Sequence, residues 1–434
     1  MPIVLSLTGR LDPGDQRLTR AQTRDWLARA AVWFEGVGDA VLDARLRRDA
    51  DDRPVLLVDL HPASPAVEVR LGSSGRVRVT AVTSPTGPGY HQYLCGLLGQ
   101  LAEDFGFDWL GDESSDPTGY FRCGDRSRVE QYFLRWLAGA CAKSPRSVGL
   151  PAGHGFTYPA EVLTPLGPRT AAWAATVAAE PHRGGDFFPW WGPELDAAFY
   201  RGRALCRLWC DFPWRPPLTD AEGEMTDQIA NDLATAFKLD PGSELPWAEW
   251  LELLWAIEDD ARGERFCVTP TDTVLSVELW KRAGPAPTVP GSERIGYRRY
   301  PVRVTLDGGW SVQVPGGFAT EWDEERNWTG WDRTRTVWFR RVGFTKPDGT
   351  TPTTAEAVEV ARATLPEGEA VPTLDTGSVR GAAVFGPVEE DGRTVWRLSG
   401  VAGAAGELAV CNVYCESLSD RDWAVETWLS LRRE

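Results

Sequence analysis

The side chains best suited to catalysis lie in two glycine-containing segments of the first half of the chain. His154 stands between two glycines, where a ligand can approach the backbone closely. Cys123 and Asp125 flank another glycine, and they offer a nucleophile and a carboxylate able to orient a histidine. Hydrolases assemble such groups in space rather than in sequence. We interpret both segments as ordinary turns, and a hydrolase with a dispersed active site in residues 1–281 stays an alternative.

Sequence motifs of common enzyme and cofactor sites are absent. The chain contains no GxSxG, HExxH or GxxxxGK motif, and no GxGxxG follows a predicted strand. The four histidines lie in separate segments without the spacing of metal ligands. Two cysteine pairs, Cys206/Cys210 and Cys411/Cys415, lack CxxC spacing, and we interpret them as buried free thiols. We therefore predict no catalytic residue, no metal site and no cofactor.

A non-periodic aromatic segment precedes a predicted helix at Pro193. It contains Phe187, Phe188, Trp190 and Trp191. Rigid aromatic side chains in a loop are typical anchors for a partner protein. The same side chains can instead fill the core at the entry of a helix. Both interpretations stay open, and we retain the four residues as candidate binding residues.

Acidic residues are concentrated between residues 219 and 264. This segment holds 13 acidic residues and two basic ones, Lys238 and Arg262. Such a density is able to steer a basic partner, although a solvated helical face explains much of it. The candidate binding residues of this segment are Glu222, Glu224, Asp227, Glu258, Asp259 and Asp260.

The overall charge narrows the classes of partner. The 434-residue chain has a net charge of −16, which repels nucleic acid and anionic lipid. No apolar run approaches the roughly 18 residues of a membrane helix, and the N-terminus resembles a strand rather than a signal peptide. Only four of the 46 basic residues are lysines, a bias typical of GC-rich bacterial genomes. We expect a cytoplasmic protein with a protein partner, no nucleic acid and no membrane.

The order of predicted elements indicates an α+β protein. Residues 1–115 form an α/β region with a three-strand meander between helices. Residues 116–281 are mainly helical, and whether they form one domain with residues 1–115 or a separate one stays open. Residues 282–294 are rich in Pro and Gly and predict a linker. Residues 295–434 predict an antiparallel sheet covered by helices.

The C-terminal region resembles the PsbP-like fold. The resemblance rests on a hairpin around Asp307-Gly308-Gly309-Trp310, a helix after Pro352, a final meander and a closing helix near Trp423. It covers about a third of the chain, residues 295–434. Because members of that superfamily are mostly non-enzymatic binding proteins, the resemblance implies binding.

These observations favour a non-catalytic protein-binding role. We expect an adaptor, a chaperone or an immunity-type inhibitor of a bacterial conflict, defence or secretion system. Two alternatives stay open: the hydrolase already mentioned, and a structural subunit of a larger assembly. Fold resemblance alone does not decide among them.

Overall fold

The architecture is taken from a computed structural model of the chain. It describes residues 1–12, 17–37, 40–49, 51–143, 145–150, 153–261, 273–283, 294–343, 350, 353–390, 392–404 and 407–433. The predicted α+β class is confirmed by its mixture of helices and antiparallel sheets. Most of the predicted linker, namely residues 284–293, lies outside the described residues.

The helices follow one another along the whole chain. They are α1 (Arg20–Val37), α2 (Pro88–Phe105), α3 (Tyr120–Cys123), α4 (Arg126–Cys141), α5 (Ala171–Ala179), α6 (Ala197–Cys210), α7 (Asp220–Leu239), α8 (Trp247–Ala261), α9 (Thr273–Ala283), α10 (Thr354–Arg362) and α11 (Arg421–Leu429).

The strands lie in two groups, before and after the helical middle of the chain. They are β1 (Val4–Arg10), β2 (Asp43–Arg48), β3 (Pro54–Asp59), β4 (Val67–Leu71), β5 (Arg76–Val82), β6 (Asp108–Trp109), β7 (His154–Phe156), β8 (Val162–Thr164), β9 (Gly167–Arg169), β10 (Val302–Thr305), β11 (Trp310–Val314), β12 (Ala319–Trp322), β13 (Trp328–Trp331), β14 (Arg335–Gly343), β15 (Glu369–Ala370), β16 (Leu374–Asp375), β17 (Arg380–Glu390), β18 (Arg393–Ala404), β19 (Glu407–Cys415) and β20 (Arg432–Arg433).

The N-terminal sheet has the strand order β2-β3-β4-β5-β1-β6. Alternate residues of its strands are buried, as in Val77, Val79 and Ala81 of β5, because successive side chains of a strand point to opposite faces. Helices α1 and α2 cover the sheet through Leu27 and Leu98, which share its hydrophobic core. The predicted meander corresponds to β3, β4 and β5.

The C-terminal region contains a large antiparallel sheet of order β12-β13-β14-β19-β18-β17-β15. Its three long strands, β17 to β19, are the predicted final meander, and α10 and α11 pack against them. Trp428 of α11 is fully buried. A Cβ atom placed on Gly400 would lie 2.5 Å from the Trp428 ring and would clash with it. Glycine at that position therefore allows the helix to lie directly on the sheet.

A third sheet crosses the boundary predicted between residues 116–281 and 295–434. Strand β7 from the middle region pairs antiparallel with β10 from the C-terminal region. Tyr158 and Trp209 of the middle region share one hydrophobic core with Tyr297 and Val302. The two regions consequently share one sheet and one hydrophobic core.

Candidate functional site

Two exposed tryptophans lie side by side on α8 and α9. The rings of Trp255 and Trp280 are 5.9 Å apart between centroids, and these residues are 43% and 59% exposed. Val277, one turn before Trp280 on α9, is 49% exposed. These three side chains are called the tryptophan face below. Large apolar side chains grouped at a surface are typical of interaction sites.

Packing against α7 explains why the tryptophan face points outward. Trp250, Leu253 and Ile257 of α8 are buried together with Ile229 and Leu233 of α7, at helical spacing. Trp255 belongs to the other side of α8. Of the described part of α9, Leu279 enters this same core.

Polar contacts hold α8 and α9 in place around that core. Arg282 of α9 lies over the ring of Trp247 at 4.7 Å and donates to Glu278 Oε1 at 2.7 Å. Glu252 of α8 accepts two hydrogen bonds from Arg299, at 2.9 and 2.6 Å. Bidentate pairs of this kind fix geometry as well as charge, so the tryptophan face is carried on a braced scaffold.

The predicted acidic residues of α7 have different surroundings. Glu222 is largely buried and accepts hydrogen bonds from both terminal nitrogens of Arg215, at 2.6 and 2.8 Å, and from the Leu218 N–H at 2.8 Å. Glu224 is exposed, whereas burial of the half-buried Asp227 raises the pKa of its carboxyl. Glu222 thus anchors the start of α7, whereas Glu224 is exposed to solvent.

The other predicted acidic residues lie near the end of α8. Glu258, Asp259 and Asp260 belong to that helix by backbone, and their side chains lie outside the described residues. Their place on α8 puts them one to two turns beyond Trp255.

The aromatic segment is part of the core. Phe187, Phe188 and Trp190 are at most 5% exposed, and Trp191 keeps partial exposure. The backbone of Trp190 accepts from the Gly89 N–H at 3.1 Å and donates to the Thr86 carbonyl at 3.0 Å. The segment therefore fills the space at the start of α2, in line with the second interpretation of these residues.

Glycine is required where this aromatic segment meets α2. A Cβ atom on Gly89 would lie 2.2 Å from the Gly192 carbonyl oxygen, and one on Gly87 would lie 2.4 Å from that of Trp190. Gly87 also has a φ of 127°, which side-chain-bearing residues rarely adopt. The Gly-Pro-Gly sequence at the start of α2 is thus explained by this close approach.

The three residues proposed for a hydrolase site lie at the end of α3, at the start of α4 and in β7. The Asp125 side chain caps α4 by accepting from the Arg128 N–H at 3.1 Å, so it is engaged in a helix cap. Cys123 ends the short helix α3 and is exposed. His154 lies in β7 opposite Val304, and its side chain lies outside the described residues.

The paired cysteines are buried free thiols, as predicted. Cys206 and Cys210 lie in α6, and Cys411 and Cys415 lie in β19. Burial raises the pKa of Cys411 to about 12 and that of Cys415 to about 11. These thiols are therefore held protonated at neutral pH.

A polar cluster that the sequence analysis did not identify lies under α2. His91, Cys95 and Asp116 bring one potential ligand atom each within 4.8 Å of one another. Both ring nitrogens of His91 already have hydroxyl partners, Thr83 and Thr118, each at 3.1 Å. Burial raises the pKa of the Cys95 thiol, which disfavours the thiolate that binds metals. The i,i+4 spacing of His91 and Cys95 was the available signal in the sequence.

Asp116 is the charged member of this cluster. Burial by itself would raise the pKa of its carboxyl, but hydrogen bonds from His91, the Phe121 N–H and Thr118 hold that pKa well below the usual range. The cluster is a network of satisfied hydrogen bonds that ties α2 to the loop before α3.

Comparisons with known proteins give distant matches to solved structures. No family model matches this chain, and no curated protein matches it. A crystal structure from Bacteroides thetaiotaomicron is 12% identical over 29% of this chain and 45% of that chain, with a TM-score of 0.24. The chain thus spans less than half the length of that protein.

A second similar structure is the solution structure of cyanobacterial PsbP from Synechocystis sp. It is 11% identical, with 35% of this chain and 100% of that chain covered and a TM-score of 0.18. It is a distant match to this chain in both sequence and structure. Among the described residues, no helix combines the length and apolar character needed to cross a membrane.

Proposed function

We propose that this chain is a non-catalytic protein-binding protein, an adaptor, chaperone or immunity-type inhibitor, that holds a basic partner on the tryptophan face. The observation that carries the proposal is the exposure of Trp255 and Trp280 in mutual contact on two different helices. Tryptophan is enriched among residues that dominate binding energy, because it offers a large contact area with few rotatable bonds.

Charge supports a basic partner. Residues 219–264, which include all of α7 and α8, contain 13 acidic residues and two basic ones. Among the described acidic residues of this segment, Asp220, Glu224, Asp240 and Glu244 are exposed. An acidic field of this kind accelerates association with a positively charged surface, and apolar contacts then slow dissociation.

Site-specific cross-linking tests the proposal. A photo-reactive amino acid at Val277, in the middle of the tryptophan face, should cross-link one partner protein in the native host, and that partner should carry a basic surface. The double variant Trp255→Ala/Trp280→Ala should lose this partner while keeping its circular dichroism spectrum. Trp322→Ala is the matched control, because Trp322 is 45% exposed but lies on β12.

Each result has a defined meaning. With the partner purified, the double variant should raise the dissociation rate at least tenfold, and added salt should slow association. An equal effect of Trp322→Ala, or a partner that binds the double variant normally, would contradict the proposal. If sedimentation shows that the chain dimerises and the double variant is monomeric, the face joins two copies of this chain instead.

A further inference from the structure

A polar cleft of about 400 Å³ lies where the N-terminal sheet meets α6 and α7. His61, just after β3, lines it together with Arg207 and Asp211 from the end of α6 and Glu224 and Gln228 from α7. The volume falls in the range of pockets that hold metabolite-sized ligands. The tryptophan face shares none of these residues, and Glu224 is the one cleft residue named above that also belongs to the exposed acidic residues of the proposed function.

His61 presents an unused hydrogen-bond donor. Its side chain is 97% buried, and its Nδ1 accepts from the Ala63 N–H at 3.1 Å. Burial, together with the positive charges of Arg203 and Arg207, lowers the pKa of His61 well below its usual value, so the ring is neutral. A neutral imidazole that accepts at Nδ1 carries its proton on Nε2. That Nε2 is buried without a partner among the described residues.

Arg207 presents a second unused hydrogen-bond donor. Its Nε is buried without a partner in the described part of the chain, and burial lowers the pKa of its guanidinium despite the nearby carboxylates of Asp211 and Asp232. Arg203, one turn earlier on α6, differs from Arg207 because two of its nitrogens donate hydrogen bonds to the carboxylate of Asp232. An incompletely paired buried cation is unfavourable unless a ligand completes its hydrogen bonds.

The acidic residues around the cleft leave room for an anion. Asp43 and Asp59 are both engaged by Arg45, at 2.6 Å in the case of Asp59. Burial raises the pKa of the Asp211 carboxyl, whereas the positive charges of Arg207 and Arg298 lower it. Glu224 is exposed to solvent, where its charge is screened.

We propose that this cleft binds a small ligand through an oxyanion, a carboxylate or a phosphate, which accepts hydrogen bonds from the Arg207 guanidinium and from His61 Nε2–H. Both groups donate and neither accepts, so an acceptor with several lone pairs satisfies both at once. Arginine in addition supplies the charge that such a group needs.

Titration of the full chain with two probes tests the proposal. Inorganic phosphate and succinate are added separately, with sodium chloride at equal ionic strength as reference, and binding is followed by the melting temperature and by the ring-nitrogen NMR signals of His61. At least one probe should raise the melting temperature and shift the His61 signals. The probe that acts identifies the oxyanion as phosphate or carboxylate.

Variants separate a binding role from a structural one. Arg207→Gln and His61→Gln should each weaken binding of the active probe about tenfold or more. Arg207→Gln should lower the melting temperature of the probe-free chain only slightly, because Arg207 forms no close ion pair with any described residue and interacts with Asp211 and Asp232 only at longer range. Arg201→Gln is the matched control, since Arg201 also lies on α6, has a buried Nε without a partner among the described residues, and does not line the cleft. No response to either probe, or equal weakening by Arg201→Gln, would overturn the assignment.

Discussion

Arg203 of α6 and Asp232 of α7 form a buried, two-pronged ion pair. The Nε–Oδ2 and Nη2–Oδ1 distances are 2.8 and 2.6 Å, and both side chains are at most 7% exposed. A further Arg203 nitrogen donates to the Ala40 carbonyl at 3.2 Å, so the pair also ties the helices to the segment before β2.

Removal of one partner of this pair should destabilise the protein strongly. We expect Asp232→Asn to lower the free energy of unfolding by about 3–5 kcal/mol, because a buried charge is left without its counterion. The double variant Arg203→Met/Asp232→Leu should lower the free energy of unfolding by clearly less, since it removes both charges. Urea unfolding followed by circular dichroism measures both values. Equal losses in the two variants would show that packing, and not charge, decides the outcome.

Trp190 should contribute to stability rather than to partner binding. Its ring is 1% exposed and lies 4.3 Å from that of Phe199 between centroids. Trp190→Ala should lower the free energy of unfolding by about 3–5 kcal/mol, because it leaves a large cavity. Trp191→Ala, at a partly exposed neighbouring position, should lower the free energy of unfolding by less than Trp190→Ala does. A melting temperature unchanged by Trp190→Ala would argue against the core position.

Asp116 should make stability depend on pH in the acidic range. Its folded-state pKa is depressed, so its contribution is complete above the unfolded value of about 3.9 and is lost as the pH falls below it. Asp116→Asn should therefore reduce stability at pH 7 and flatten the change between pH 5 and pH 3. Thermal unfolding at several pH values gives the comparison. Parallel curves for the two proteins would contradict this assignment.

Single variants of Glu222 and Glu224 should show that the first carboxylate stabilises the fold and that the second does not. Glu222→Gln should lower the free energy of unfolding by about 1–3 kcal/mol, because Arg215 loses a charged acceptor in a largely buried site. Glu224→Gln, at an exposed site, should stay within about 0.5 kcal/mol. Chemical unfolding of the two single variants is the test. A loss at Glu224 as large as that at Glu222 would show that position 224 also has a structural partner.

Cleavage in the predicted linker, residues 282–294, should not release the C-terminal region. The sequence predicts a separate folded piece, but β7 pairs with β10 and Trp209 packs on Tyr297, with ring centroids 4.9 Å apart. A chain cut there should elute as one species in native size-exclusion chromatography and give two bands on a denaturing gel. Elution of the C-terminal piece alone would show that residues 295–434 form an independent domain.

Local patterns predicted most of the individual elements. Alternating apolar residues located β3, β4 and β5, because the period of side chains along a strand also decides their burial. Spacing of four residues located α7, where Ile229 and Leu233 are buried. The Trp-rich stretch after Glu321 had no such pattern, and the structure contains the β12–β13 hairpin there.

Contacts between distant segments were beyond the reach of the sequence. His61 lies in a Pro-containing turn, and only the packing of α6 brings Arg207 to the same cleft. The pairing of β7 with β10 likewise joins a three-residue strand to one far along the chain. Short strands have no periodicity of their own, so their partners follow from tertiary structure.

The pairing of β7 with β10 also has a consequence for the order of folding during synthesis. Beside these strands, Thr157 donates to the Pro301 carbonyl across 144 residues of chain. The ribosome therefore exposes β7 well before its partner strand exists, and contacts with so long a loop form slowly. The N-terminal sheet can form as soon as α2 and β6 have emerged. The apolar side chains of Phe156 and Tyr158 stay exposed until the C-terminal strands have been synthesised, because these strands supply the rest of their hydrophobic core.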